Sequence, residues 1–204
     1  MSGDIELLEA WKNGDREAGE QLFERYYSNV YRFFRHKLED DVSDLVQQTF
    51  FALIEGIDRV RESASFRSYL FGIAHNLFRA HLRHQYRHDP ALDLAEVSVV
   101  ALAPGPSTMY AQRQEQRLLL EALRRIPIEL QVLLELRYWE SMKTQEIAEV
   151  LAIPHPTVRS RLRRAHELLE EVITKLAATS EDLRATFANL QEWVQECQKQ
   201  LDAS

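Results

Sequence analysis

Arginine and hydroxyl side chains are crowded into residues 157–164, near the carboxy-terminal end of the sequence. Neither this segment nor the surrounding stretch 152–166 contains an acidic residue. Arginine presents a fork of donors that fits guanine O6 and N7 or a phosphate, and a hydroxyl can bond to a base edge or a phosphate. These side chains are therefore candidates for contacts with duplex DNA: Thr157, Arg159, Ser160, Arg161, Arg163 and Arg164.

A second basic segment, residues 61–88, interleaves arginines and histidines with aromatic rings. Cations that follow a phosphate backbone, beside rings that stack on bases, suit a separated strand better than a major groove. Asn76 can bond to a base edge through its amide, and Arg79 and Arg83 lie one and two turns further along the same helical face. The segment therefore predicts a surface for single-stranded nucleic acid.

A third segment, residues 40–50, begins with acidic residues and continues with apolar residues along one side. Acidic side chains stabilise the first turn of a helix, so the pattern is typical of a well-capped helix. Exposed Asp and Gln beside apolar anchors are also typical of a protein-docking surface. The residues alone leave both interpretations open.

The sequence offers no set of residues for catalysis or for a cofactor. It has no glycine-rich phosphate loop and no nucleophile motif, so we expect that it is not an enzyme. The single cysteine, Cys197, excludes an internal disulfide. His81, His84 and His88 are spaced for one helical face, but flanking arginines repel a cation, so we predict neither a metal nor a cofactor.

The arginine-rich segment belongs to a predicted helix-turn-helix. Thr144 can cap a first helix, the chain turns at residues 152–155, and Pro156 suits the first turn of a second helix, where its missing N–H does no harm. In the second helix the arginines fall on the outer face, and Arg161 is better placed for the DNA backbone than for a base. The predicted inward stripe consists of Val158, Leu162, Ala165 and Leu169.

Apolar residues recur at spacings of three and four along most of the chain, and no stretch alternates convincingly with period two. The fold prediction is all-α: two small helical domains, the second with the helix-turn-helix, plus an extra carboxy-terminal helix. The apolar stripe between Leu22 and Phe34, including Phe23, Tyr27 and Tyr31, is expected to form one buried face. The predicted boundaries are 1–88 for the first domain, 89–111 for a linker with prolines and a glycine, 112–174 for the second domain and 175–204 for the extension.

The distribution of charge is more informative than the net charge of -7. Residues 1–60 carry 7 basic and 13 acidic side chains, whereas residues 61–88 carry five arginines and one glutamate. An acidic body with two basic faces suits a protein that touches a polyanion in two places and other proteins elsewhere. No apolar run approaches the roughly 18 residues of a membrane helix, so we expect a cytoplasmic protein without membrane insertion.

The last predicted helix extends from Ser180 to about Leu201. Its apolar positions step by four and three, which is the spacing of a coiled-coil seam. The helix can fold back on one of its own domains, or it can dock a partner or a second copy. The seam consists of Leu183, Phe187, Leu190, Val194, Cys197 and Leu201.

Taken together, these segments resemble the extracytoplasmic-function (ECF) sigma factors of bacterial RNA polymerase. In the first domain the family pattern Asp-Leu-Val-Gln-x-x-Phe is matched by residues 44–50, and aromatic-Leu-x-x-Ile-Ala-x-Asn by residues 69–76. In the second, Glu-Ile-Ala-x-x-Leu is matched by residues 146–151 and Thr-Val-Arg-Ser-Arg-Leu by residues 157–162. Several motifs in the family's order make this resemblance specific.

The resemblance implies a protein that takes core RNA polymerase to promoters and helps to melt them. The outer face of the second helix-turn-helix helix would read the -35 element as duplex. The loop from Arg61 to Phe66, with Asn76 and Arg79, would hold a flipped base and the melted -10 strand. The implied -10 contacts are Arg61, Ser63, Ser65, Phe66, Asn76, Arg79 and Arg83, and the implied contacts with the clamp helices of the polymerase largest subunit are Asp44, Gln47, Gln48 and Phe50.

The sequence departs from the family pattern at four positions. Gln48 replaces a frequent Glu, Tyr69 a frequent Trp, Ala152 a frequent Gly in the turn, and Pro156 a frequent Gly or Ser. None removes a required chemistry, although Tyr69 and Pro156 bear on promoter preference.

Two questions stay open on the sequence alone. A one-component regulator that uses the helix-turn-helix without polymerase would explain residues 112–172, but it would leave the aromatic-arginine segment without a role. Control by a separate anti-sigma factor and self-inhibition by the carboxy-terminal helix are alternative forms of regulation.

Overall fold

The computed structural model describes residues 3–38, 41–60, 66–86, 96–99 and 114–177. Within these ranges the regular elements are helices, apart from one isolated bridge between Ser98 and Pro127, so the all-α prediction is confirmed. None of the described helices is long and apolar enough to cross a membrane. The α-helices are α1 (Asp4–Lys12), α2 (Arg16–Arg35), α3 (Ser43–Gly56), α4 (Phe66–Gln85), α5 (Gln114–Arg125), α6 (Ile128–Tyr138), α7 (Thr144–Leu151) and α8 (His155–Ala177), with a short 3₁₀ helix at Ile57–Arg59.

The chain divides into two compact units. The first comprises residues 1–90 together with 145–153, and the second comprises residues 91–144 and 154–204. The sequence-based domains instead assign residues 145–153 to the second domain. The domain boundaries 1–88 and 112–174 stay a prediction. The predicted helix at 180–201 lies outside the described residues.

In the first unit, helix α1 is held against α2 by close packing and by polar contacts. The Asp4 carboxylate accepts hydrogen bonds from the Tyr26 hydroxyl and the Arg25 guanidinium. Trp11 lies so close to Gly19 that a Cβ added at Gly19 would be 2.8 Å from the indole ring. Glycine at position 19 is therefore required by the approach of the tryptophan.

Helices α2, α3 and α4 enclose an aromatic core. Phe33 makes edge contacts with Phe71 and Phe78 of α4, at centroid distances of 5.7 and 6.2 Å. The prediction that the whole Leu22–Phe34 stripe is buried is wrong, because Phe23, Tyr27 and Tyr31 are 44%, 41% and 39% exposed. The stripe spans about half of the helix circumference, at 100° per residue, and the neighbouring helices cover only part of it.

The end of α3 is shaped by a tyrosine of α4. The Tyr69 hydroxyl donates to the Gly56 carbonyl oxygen at 3.1 Å, and a Cβ at Gly56 would collide with that hydroxyl. A side chain at position 56 would therefore have to displace the Tyr69 hydroxyl and its hydrogen bond.

In the second unit, α8 packs against α5 and α6, and α5 packs against α6. The core of this unit is aliphatic, and α8 contributes the stripe that the sequence predicts. The fully buried residues of this core include Leu119, Leu123, Leu133, Val158 and Ala165.

Candidate nucleic-acid interfaces

Helix α8 presents its basic residues to solvent, as the sequence predicts. The stripe of Val158, Leu162, Ala165 and Leu169 is buried, so the helix can turn only one face outwards. Among the predicted duplex contacts, Thr157 is half-buried and the Ser160 hydroxyl donates to its backbone carbonyl at 3.0 Å. The exposed members of the predicted set are Arg159, Ser160, Arg163 and Arg164.

The turn before α8 is held by local hydrogen bonds. The Ile153 amide donates to the Ala148 carbonyl at 3.1 Å, and Thr144 Oγ1 lies 2.7 Å from His155 Nε2. Ala152 has a φ of +52°, in the left-handed region that favours glycine. The turn thus keeps the backbone of a glycine-containing turn although the glycine is replaced.

Two of the α8 arginines have acidic neighbours. Arg161 Nη1 donates to Glu129 Oε2 of α6 at 2.9 Å, and both side chains are partly buried. Arg163 Nε lies 3.6 Å from Glu167 Oε1, one turn further along α8, and both are strongly exposed. The prediction that Arg161 contacts the DNA backbone therefore meets a competing interaction within the protein.

Helix α4 brings three of the predicted single-strand contacts to one face. Asn76 and Arg83 are exposed and Arg79 is half-buried. The Arg79 Nε is buried and has no hydrogen-bond partner among the residues that the structure describes. Phe66 differs from the prediction, because it is buried and packs against the Tyr26 ring at 5.4 Å. Arg61, Ser63 and Ser65 lie outside the described residues.

Next to this face, α4 carries a buried histidine. His75 is 6% exposed, and burial is the main cause that lowers its pKa to about 4. The positive charges of Arg79 and Lys37 lower it further. Lys37 is itself buried, with its ammonium 3.9 Å from the centroid of the Phe33 ring. His75 is thus a neutral core residue, although it is adjacent in sequence to Asn76.

The predicted polymerase contacts on α3 divide between surface and core. Asp44, Gln47 and Gln48 are exposed, whereas Phe50 is only 5% exposed. The Phe50 ring lies beneath α2, with its centroid 4.5 Å from that of Phe23. Phe50 therefore supports this surface from below.

Beside these polar residues lies an apolar surface that the sequence reasoning missed. Phe51 and Ile54 of α3 are 62% and 58% exposed, and the exposed rings of Phe23 and Tyr27 of α2 pack against Phe50 of the same helix. Phe23 and Ile54 line the same cavity, which has a volume of about 280 Å³. The signal that could have revealed the surface is the width of the α2 stripe. The apolar patch, as we name it, consists of Phe23, Tyr27, Tyr31, Phe51 and Ile54.

The described residues contain no group of three or more His, Cys, Asp or Glu side chains arranged to hold a metal ion. His81 and His84 belong to this part of the chain, whereas His88 does not.

Comparison with known proteins gives matches in both halves of the chain. The family model for sigma-70 region 2 matches residues 22–88, and the model for sigma-70 region 4 matches residues 116–169. The ECF RNA polymerase sigma-E factor of Haemophilus influenzae is 28% identical over 182 residues, covering 85% of this chain and 96% of the relative. The sigma-E factor of Escherichia coli is 29% identical over 179 residues, covering 83% and 94%.

Two solved structures have a similar fold. CnrH in complex with the cytosolic domain of CnrY superposes with a TM-score of 0.61 at 24% identity, covering 84% of this chain and 97% of that one. The Bartonella quintana sigma factor RpoE in complex with the anti-sigma factor NepR gives 0.59 at 19% identity, covering 76% and 96%.

Helices α2 to α4 coincide with sigma-70 region 2 and α5 to α8 with region 4, so the chain belongs to the sigma-70 family. Within that family it is an ECF sigma factor, which directs the initiation of transcription. A one-component regulator is not favoured, because region 2 accounts for the segment that such a regulator leaves without a role.

Proposed function

We propose that this sigma factor uses three separate surfaces, one for core RNA polymerase and two for promoter DNA. The exposed face of α8 reads the -35 element as duplex, the outer face of α4 holds the melted -10 strand, and α2 and α3 dock on the clamp helices of the polymerase largest subunit. The protein makes and breaks no covalent bond, and it acts in the cytoplasm. Its functional domains are residues 1–88 and 112–174.

The observation that carries the proposal is the arrangement of side chains on α8. A buried aliphatic stripe fixes which side of the helix faces outwards, and that side carries Arg159, Ser160, Arg163 and Arg164. A major groove is about 12 Å wide and admits one helix, and arginine forks discriminate guanine there. An exposed basic helix after a turn is the arrangement with which helix-turn-helix proteins enter that groove.

The α4 surface suits a separated strand. Asn76 offers an amide to a base edge, while Arg79 and Arg83 follow it along the same face at the spacing of successive turns. Arg79 is half-buried, and its positive charge attracts the phosphates of a strand that follows this face. Bases captured here would offset an unstacking cost of a few kcal/mol for each step that opens.

The polymerase surface combines polar and apolar residues. Asp44, Gln47 and Gln48 lie on α3 together with Phe51 and Ile54 of the apolar patch. A patch of exposed aromatic and aliphatic side chains with a polar rim is the usual composition of a protein interface, and large apolar side chains in its centre supply most of the affinity. Phe50 stabilises this surface from below.

Regulation by an inhibitor follows by analogy with relatives. The similar Bartonella quintana structure contains an anti-sigma factor. In this chain the extension at 175–204, with its heptad seam and acidic composition, could act instead as an internal inhibitor. Deleting residues 176–204 distinguishes the two, because only an internal inhibitor predicts that core binding or transcription increases.

Run-off transcription with purified core RNA polymerase tests the proposed function. Promoters selected with the reconstituted holoenzyme serve as templates. We expect initiation only when this chain is added to core enzyme that lacks any other sigma factor. Transcripts that form equally without the chain, or that require another sigma factor, would refute the proposal.

A further inference from the structure

The recognition helix α8 is joined to α6 by a partly buried ion pair. Arg161 Nη1 donates to Glu129 Oε2 at 2.9 Å, and the side chains are 37% and 22% exposed. Glu129 lies in the first turn of α6. Arg163 and Glu167 form a contrasting pair within α8, at 3.6 Å, with side chains 81% and 67% exposed. Only the first pair joins two helices.

A second polar contact joins the same helices at the other end of α6. The Tyr138 hydroxyl lies 2.6 Å from His166 Nε2, and the two rings meet edge to face at 5.5 Å. Burial lowers the pKa of His166, so the imidazole is neutral at neutral pH and suits a hydrogen bond with the phenol. Tyr138 is the last residue of α6.

The two contacts lie on opposite sides of the buried stripe of α8. At 100° per residue, Arg161 is about 70° to one side of the stripe's centre and His166 about 70° to the other. Two attachments on opposite sides resist rotation of the helix about its axis. That rotation decides whether Arg159, Ser160 and Arg164 meet base edges, because hydrogen bonds weaken steeply away from about 3 Å and a straight angle.

We propose that Arg161 is a positioning residue, which together with Glu129 fixes the rotation of the recognition helix, and that it is not a contact with the DNA backbone. This assignment rests on the proposed role of α8 in reading duplex DNA. The Arg161 guanidinium is already bound by a carboxylate, so its charge toward a phosphate is partly neutralised. Arg161 thus differs in role from the three exposed arginines of the same helix.

Replacing Glu129 distinguishes the two roles by the sign of its effect. Loss of a carboxylate from a DNA-binding protein ordinarily strengthens its attraction to phosphates. A positioning role predicts the reverse: Glu129→Gln should weaken binding to the selected -35 duplex by about fivefold, the equivalent of part of one bidentate base contact. Binding to a scrambled duplex should be unchanged or stronger.

A charge reversal makes the test sharper. Arg161→Glu alone should weaken specific binding, and the double variant Glu129→Arg with Arg161→Glu should return it to within about twofold, since double-mutant cycles isolate a pair's own contribution. A phosphate contact at Arg161 predicts no such rescue. Glu167→Gln is the matched control in the exposed pair, and it should not weaken specific binding.

The measurements use holoenzyme assembled from core polymerase and each full-length variant, with promoter fragments that carry the selected or a scrambled -35 duplex. Circular dichroism at the assay temperature checks folding, and Glu129→Asp, which keeps the carboxylate, should retain specific binding. If Glu129→Gln strengthens binding to both duplexes, or if folded double variants are not rescued, Arg161 is not a positioning residue. If wild-type holoenzyme does not distinguish the two duplexes, the proposed -35 role itself fails.

Discussion

The buried His75 predicts that the first unit loses stability in mild acid. Its pKa is lowered to about 4 from an ordinary value near 6.5, chiefly by burial and then by Arg79 and Lys37. The folded state therefore favours the neutral imidazole, whereas the unfolded chain binds a proton below about pH 6.5. The contribution of His75 to the free energy of unfolding is fully present above about pH 6.5. It decreases as the pH drops below that value, and the decrease levels off below about pH 4.

The magnitude follows from the shift. Between pH 6.5 and pH 5 the unfolded state binds about one proton more than the folded state. Over this interval of about 1.5 pH units, the free energy of unfolding therefore falls by about 2 kcal/mol, at 1.36 kcal/mol per pH unit. The full shift of about 2.5 units corresponds to about 3 kcal/mol. A domain of this size has a total stability on the order of 5–15 kcal/mol, so the loss at pH 5 is large enough to measure.

The assay is urea unfolding at pH 7.5 and pH 5, followed by the fluorescence of Trp11, which belongs to the first unit. Trp139 and Trp193 are replaced by Phe, so that the signal does not report the other unit. His75→Gln cannot titrate in this range and should reduce the pH-dependent loss by about 2 kcal/mol. His84→Gln, at an exposed position of the same helix, is the matched control and should leave the loss unchanged. An equal loss in wild type and His75→Gln would refute the reasoning.

Three further predictions concern the turn, the α3 end and the apolar patch. Ala152→Gly should stabilise the protein by about 0.5–1 kcal/mol in urea unfolding, because only glycine adopts a positive φ without steric cost; destabilisation would contradict the assigned backbone conformation. Gly56→Ala should lower the free energy of unfolding by about 1–3 kcal/mol, because the new methyl group collides with the Tyr69 hydroxyl. Tyr69→Phe in the same chain removes that hydroxyl and should recover part of the loss. A loss that Tyr69→Phe does not reduce would show that the cost comes from the backbone instead. Phe51→Ser should weaken core polymerase binding in a pull-down or anisotropy assay by about tenfold, while Ile5→Ser, an equally exposed position on α1, should not.

The sequence predicts the local features of α8 because they depend on periodicity. Val158, Leu162 and Ala165 recur at helical spacing, and a helix with one apolar stripe can be buried in only one orientation. The exposed arginines follow without knowledge of any neighbour. The turn at 152–155 is equally local, since it depends on a proline and on the interruption of the apolar pattern.

The remaining features depend on contacts between residues distant in sequence. Periodicity gives the width of the apolar arc on α2, but it does not tell which part α3 and α4 will cover, so the exposure of Tyr27 and Tyr31 is not predicted. The partner of Arg161 is Glu129, 32 residues away on another helix. Phe50 and Phe66 fit an interface by type, but their neighbours bury them.

The order of charges along α8 reconciles an acidic protein with a DNA-binding role. The exposed arginines, Arg159, Arg163 and Arg164, lie in its first half, while Glu167, Glu170 and Glu171 are exposed in its second half. A polyanion attracts the first group and repels the second, so this order of charges favours the proposed approach of the helix to DNA by its amino-terminal end, the end that recognition helices use. The net charge of -7 alone would argue against DNA. Since screening limits each charge to about 8 Å at physiological salt, the local order of charges along the helix outweighs their total.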